Sequence, residues 1–477
     1  MAYLHGIQVD EAATKVIAPI TGTAGLQIVF GTAPVHLAAD PKKAANELYL
    51  FSNFKEAAET LGYSSDFEKY TLCASMHISL SQKGIAPIIL CNVLDPAVHK
   101  KELEEKGYPV KEKQVIISED GVLLYSLVVK NGETVLQEEV DYTVAFNQDN
   151  FAVITFLGEE ELTEVLVSGE IIDPDAVTAE DIIGGYDVVS GKETGLELVR
   201  KVYPKFGLVP GLILAPKWSC DPRVAIMMSA KCENINGCFR CECVVDLDTE
   251  QVKKYSDILE YKNKNGLVGE HMIALWPMLK LGDDLVYYSS VYAASLAHQD
   301  AQNDDVPSLT LSNKLLGVTG SVLKDGTEVN LDQVQANMVN AAGIVTVINA
   351  SGYRAWGSNT TAYPGTTDPK DRWINCRRFF SWWANSFILT YFQKVDQPLN
   401  KILIESIIDS ENIRGNSYVA MGKCAGARME YVAEENPITQ ILNGQIVFHQ
   451  YLAPYPPAEY IKNTLEFDID ALETALS

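Results

Sequence analysis

Positive charge is scarce in this 477-residue sequence: 38 Lys and Arg stand against 63 Asp and Glu, a formal charge of −25. Sequence-independent binding to nucleic acid needs a basic surface, so this balance argues against that partner class. Long apolar runs are also missing. No run approaches the roughly 18 residues that a membrane-spanning helix requires, so no membrane insertion is expected. The opening MAYLHGIQVDEAATK lacks the basic and apolar regions of an export signal, and cytoplasmic synthesis is the expectation. The 9 cysteines are odd in number and read as reduced, packed thiols. The 7 histidines are scattered, and none has an obvious nucleophile beside it. Apolar content of 47% and charged content of 21% are ordinary for a soluble globular chain, and the length predicts two to four domains.

Three short motifs invite chemistry and then fail on spacing. Cys238-Phe239-Arg240-Cys241 has the C-x2-C spacing of a zinc knuckle, but no second knuckle accompanies it. Cys241 and Cys243 share one face of an incoming strand, as packed side chains do. Gly415 to Lys423 has the wrong glycine spacing for a phosphate loop, and Cys424 replaces the hydroxyl that would hold magnesium. Gly22, Gly25 and Gly31 precede no helix that opens with a lysine. No metal, cofactor or catalytic residue is therefore expected.

In chain order, residues 1–20 predict an N-terminal arm, with Tyr3, Leu4, Ile7 and Val9 in rough alternation. Residues 21–98 predict α/β structure, with a buried strand at Gly25–Gly31, a helix opening after Asn53, another helix from about Phe67 to Lys83, and a strand at Pro87–Val93. Residues 99–173 crowd strand patterns together, with Asn131-Gly132 as a hairpin signal, and predict an inserted acidic β-sandwich or small barrel. Residues 174–350 return to α/β. Residues 351–457 form a C-terminal domain, with a second helical region from Leu399 to about Ile413 and a strand at Gln445–Leu452. Residues 458–477 predict a C-terminal arm, where Leu465, Phe467 and Ile469 alternate with Glu466, Asp468 and Asp470 as in an edge strand. Charge is uneven: residues 1–350 hold 27 basic against 49 acidic residues, and residues 360–428 hold 9 against 6. A mildly basic C-terminal region suits an acidic partner.

The stretch Tyr353–Val395 organises the rest. Turn residues come first, and Asp368 or Asp371 can cap a helix near Pro369. Apolar residues then recur at helical spacing: Cys376, Phe380, Trp383, Phe387, Tyr391 and Val395. A helix this apolar is either buried on most sides or shared with another protein. Arg377 and Arg378 sit near its start, where the helix dipole disfavours cations, so they are better placed to meet a partner. Lone strands at the two termini carry unpaired backbone groups suited to joining a neighbour's sheet.

Trp356-Gly357, Thr360-Thr361 and Trp373 through Arg377-Arg378 resemble the C-terminal domain of contractile tail sheath proteins of phages and phage-tail-like bacteriocins. GLVPGLILAPKWSCDPRVA at 207–225, with VVDLDT at 244–249, resembles that family's central domain. The resemblance implies a multidomain α/β fold. Its central domain is subtilisin-like without catalytic residues, a β-sandwich is inserted, and an α+β C-terminal domain carries extended arms. It implies a non-enzymatic subunit of a virion tail or tail-like particle. Copies polymerise helically around a tail tube protein and contract to drive it through the target envelope, with baseplate and tail terminator proteins as further partners. Arg377, Arg378 and Lys394 are the candidate tube-facing residues. The alternatives are a subtilisin-like or other α/β hydrolase with a β accessory domain, or a non-contractile array or capsid protein. Against the hydrolase, His5-Gly6 lies in the arm and Gly365-Thr366-Thr367 lacks the serine of a nucleophile helix.

Overall fold

The computed structural model describes residues 20–21, 24–158 and 162–477. Tyr3, Leu4, Ile7 and Val9 lie outside the described residues. The backbone of Ile20–Thr21 pairs in parallel with Ile85–Ala86, so the predicted N-terminal arm meets the body at its last residue.

Eight strands form the central sheet: β1 (Gln27–Gly31), β2 (Leu48–Phe51), β3 (Ile88–Asn92), β4 (Leu212–Leu214), β5 (Glu242–Asp246), β6 (Met272–Leu275), β7 (Ile344–Asn349) and β8 (Tyr353–Trp356). Their order is β8-β7-β6-β5-β4-β1-β3-β2, parallel through the six inner strands and antiparallel at both edges. Every residue of β1, β3, β4, β5 and β6 is buried, as a sheet covered on both faces demands. Residues 71–82 pack with helix α1 (Tyr288–Gln302), while Ala179–Ile183 and residues 195–206 pack with Pro222–Cys232. The predicted start at Asn53 holds, its side chain accepting from the Glu56 N–H at 2.9 Å. The backbone N–H of Thr178 donates to the Asp181 carboxylate at 2.8 Å, the reciprocal arm of a capping box.

Residues 100–172 form two facing sheets around one apolar core that includes Leu103, Tyr108, Ile117, Val129, Ile154 and Val167. Gly132, at φ +60°, turns the hairpin between Val128–Asn131 and Thr134–Val135. The longest strand there, Lys100–Pro109, escaped the sequence pattern. Its run of Lys and Glu is a poor strand former in isolation, but as an edge it buries only Leu103 and Tyr108 and leaves its charges in water.

The boundary expected at residue 350 falls inside a hairpin, because β8 completes the central sheet. The C-terminal region then contains helix α2 (Ile374–Tyr391), helix α3 (Lys401–Ala420) and an antiparallel pair, β9 (Cys424–Glu430) and β10 (His449–Pro454). A short helix at Ile438–Leu442 lies between β9 and β10. A last helix, α4 (Ile469–Leu476), ends the chain. This corrects the edge strand expected there. Asp468 accepts from the Ala471 N–H at 2.9 Å and caps a run of strong helix formers, while the two-residue alternation stops at Ile469.

Candidate assembly surfaces

Helix α2 is buried at its start and exposed at its end. Asp368 caps a single turn, Pro369–Arg372, by accepting from the Lys370 N–H at 2.9 Å, and α2 follows directly. Ile374 through Phe379, Ser381 and Trp383 are buried, whereas Leu389, Phe392 and Val395 are exposed. The buried reading therefore holds for the first half, while the second half is open to water.

The arginine pair is corrected. Arg378 is buried and grips Asp300 of α1 through both guanidinium nitrogens, Nη1 to Oδ1 at 3.1 Å, and also donates to the Ala24 carbonyl at 3.3 Å. Burial works against its charge, but the Asp300 carboxylate makes the guanidinium hold its proton more firmly than usual. Arg377 is buried too, with Nη1 3.0 Å from Asp371 Oδ1. Neither side chain is free to meet a partner. The helix-dipole penalty of about 0.3–1 kcal/mol is outweighed by two carboxylates, Asp371 in the turn just before α2 and Asp300, which the tertiary fold brings to Arg378. Of the three candidates, Lys394 is exposed, beyond the C-terminal end of α2.

Around Arg378 the interface between α2 and the sheet is polar but well bonded. Ser381 Oγ donates to Glu242 Oε1 at 2.7 Å, and His271 Nδ1 lies 3.5 Å from the same oxygen. Burial pushes the Glu242 carboxyl up, but His271, Ser381 and the Arg378 charge bring it below its ordinary value. A set of buried ionic groups with matched partners fixes how α2 sits on the body, since an unpaired one costs several kcal/mol.

Helix α3 rests on β9 through Gly415, where a Cβ would come within 2.3 Å of the Ala427 carbonyl oxygen. This explains a glycine in mid-helix and removes any phosphate-loop reading of 415–423, which is helical through Ala420. The helix thus runs past the expected end near Ile413. Glu411 is buried between Arg414, at 3.0 Å, and Gln450 of β10, at 2.9 Å. Arg414 also lies 4.1 Å over the Trp383 ring, and Trp382 and Trp383 contact Tyr418 edge-on. The rest of α3 is bare: Ile402 and Ile413 are exposed, as are Ile438 and Leu442 nearby in the chain.

The tail is anchored only at its root. Asn375 donates to the Tyr455 carbonyl at 3.0 Å, and Arg372 pairs with Glu459 at 2.8 Å while stacking 3.9 Å from the centre of the Trp373 ring. Beyond that, Leu465 and Phe467 are 87% and 77% exposed, and Ile469 begins α4.

The other motifs settle into the body. Cys232 and Cys241 are buried with sulfurs 3.5 Å apart, Cys243 is buried, and Cys238 is exposed. Among the described residues, no cluster of His, Cys, Asp or Glu is arranged to hold a metal ion. His271 turns to the Cys241 carbonyl, His99 to the Asp95 N–H and His298 to Gln302. Among the described residues no helix is long and apolar enough to cross a membrane. Sequence reasoning missed His36, which lies between body and insert, 3.9 Å from Asp120 and edge-on to Phe146. Burial holds its imidazole down at about 4, against an upward pull from Asp120.

No family model matches the chain. It is 25% identical over 497 aligned positions to a tail sheath protein of Burkholderia phage BcepMu, covering 99% of this chain and 98% of that one. Its fold is similar to a chain of the anti-feeding prophage baseplate, with a TM-score of 0.59, 12% identity and coverage of 98% and 100%. It is also similar to the sheath complex of an extracellular contractile injection system, PVC, in its contracted state, with a TM-score of 0.58, 12% identity and coverage of 99% of both chains. Along nearly its whole length the chain is thus similar in sequence to a phage tail sheath protein, and its multidomain α/β fold is similar to chains of contractile injection particles.

Proposed function

We infer that this protein is the structural subunit of a contractile tail sheath, whose copies polymerise helically around a tail tube and contract to drive it through a cell envelope. The observation that carries this reading is the full-length likeness to a phage tail sheath protein. The surface supports it: large apolar side chains are left in water along α3, the hairpin region and the tail, as in a chain that is completed by its neighbours. The eight-stranded body takes the place of the subtilisin-like domain, and residues 100–172 form the insert. The role is structural and needs no nucleotide. Its energy comes from interfaces gained when subunits rotate from an extended to a contracted arrangement.

Residues 461–468 act as an extended arm that adds to an open edge of the β9–β10 pair in a neighbour. Donor and acceptor differ, so the contact is head-to-tail and propagates without closing. The exposed end of α2, with Phe392, Lys394 and Val395, lies against the tube, while Arg377 and Arg378 hold that helix on the body. Particle ends are met by baseplate and terminator proteins. Negative-stain electron microscopy of the purified protein, alone and with its tube, tests the reading. Hollow helical tubes, or sleeves of two lengths on the tube, are expected; failure to coat the tube would refute it.

A further inference from the structure

The structure leaves two complementary apolar features without a partner. One is α4, whose Ile469, Leu472 and Leu476 are all exposed on one side of the helix. The other is an apolar groove of about 490 Å³ between the first turns of α3 and the short helix at Ile438–Leu442, lined by Leu399, Ile404, Ile408, Tyr431, Ile441 and Ile446. We propose that α4 of one copy docks its Ile469/Leu472/Leu476 stripe into this groove on a neighbouring copy. The proposal rests on the sheath reading and names a second contact for the arm, beyond strand addition.

Charge supports the match. Residues 463–477 carry Glu466, Asp468, Asp470 and Glu473 and no Lys or Arg. The groove opens at the N-terminal end of α3, where the helix dipole is positive and where Lys401 is exposed beside Glu405. Three anchors at i, i+3 and i+7 are how an amphipathic helix enters an apolar groove.

Geometry favours a second copy over the same chain. The tail is rooted at the start of α2 by Asn375 and Arg372, whereas the groove lies beyond the other end of that helix. The 18 residues of α2 measure roughly 27 Å along the axis. Residues 460–468 reach roughly 30 Å when fully stretched. Docking on the chain's own groove would need a nearly straight linker, at a high cost in conformational entropy.

The test is disulfide trapping in a Cys238→Ser background. Chains carrying Leu472→Cys are mixed with chains carrying Ile441→Cys under assembling conditions, oxidised, and read on non-reducing gels. The expected result is a reducible two-chain species that dominates in the mixture and is minor for either variant alone. Its absence from tubes visible by electron microscopy would overturn the proposal and leave the sheath reading intact. The same bond closing within a dilute single chain that carries both substitutions would also overturn it. If the parent chain forms no tubes and coats no tail tube, the sheath reading itself falls. A Leu472→Asp chain with unchanged thermal stability is expected to lose assembly, and normal assembly by it would count against the proposal.

Discussion

The central body and the C-terminal region treat the same kind of residue in opposite ways. In the body, apolar side chains of β1, β3, β4, β5 and β6 are wholly enclosed, and even Lys262 is buried, donating to the Ala342 and Tyr363 carbonyls. Beyond α2, the independent core shrinks to a small cluster around Phe379, Trp383, Cys424 and Ala427, while Ile402, Ile413, Leu442, Leu465 and Phe467 stay in water. The inner strands of the body are closed within one chain. The C-terminal region has enough core to hold its shape and leaves these apolar side chains in water. The Arg378–Asp300 pair joins the two regions.

Breaking that joint has the largest expected effect. Arg378→Ala leaves Asp300 buried without its partner and should lower unfolding stability by about 3–5 kcal/mol in chemical denaturation. A loss under 1 kcal/mol would mean that the pair does not anchor α2. Next comes the joint between body and insert. The folded-state pKa of His36, about 4, lies below its unfolded value of 6.5, so the native state binds fewer protons. Stability should therefore be complete above pH 6.5 and decline as pH falls towards 4, by up to about 3 kcal/mol. His36→Phe keeps the ring packing and should flatten the denaturation midpoint across that window; an unchanged acid slope would point to other groups.

Within the C-terminal region, Gly415→Val forces α3 off β9 and should cost about 1–3 kcal/mol, with a blue- or red-shift of Trp383 fluorescence as its reporter. The smallest effect on folding is expected at the outer surface. Lys394→Glu should change stability by less than about 0.5 kcal/mol, yet weaken coating of the tube in a sedimentation assay. Equal coating would remove Lys394 from the tube-facing set.

How legible each region was in the sequence follows the same division. Strands buried on both faces announce themselves as unbroken apolar runs, as in Gly211–Ala215 and Pro87–Val93, because nothing but burial explains them. The family resemblance likewise rested on residues now seen in the body and at the start of α2. What stayed hidden depends on long-range partners. Arg378 looked free because Asp300 lies 78 residues away, and the dipole argument saw only its own helix; the partner of Arg377, Asp371, is six residues away and was read only as a helix cap. Lys100–Pro109 hid because an edge strand can be charged wherever a neighbour supplies its pairing. The tail's alternation suggested a strand up to Ile469, and the cap at Asp468 then turned it into a helix within one residue.

Hydrogen exchange before and after polymerisation tests the central claim most directly, since it reads both regions in one experiment. Assembly should raise protection strongly in the α3 groove, in β9 and β10, and across residues 461–477, while the inner strands of the body, already closed, stay unchanged. Assembled tubes in which residues 401–477 exchange as fast as in the free subunit would contradict the account.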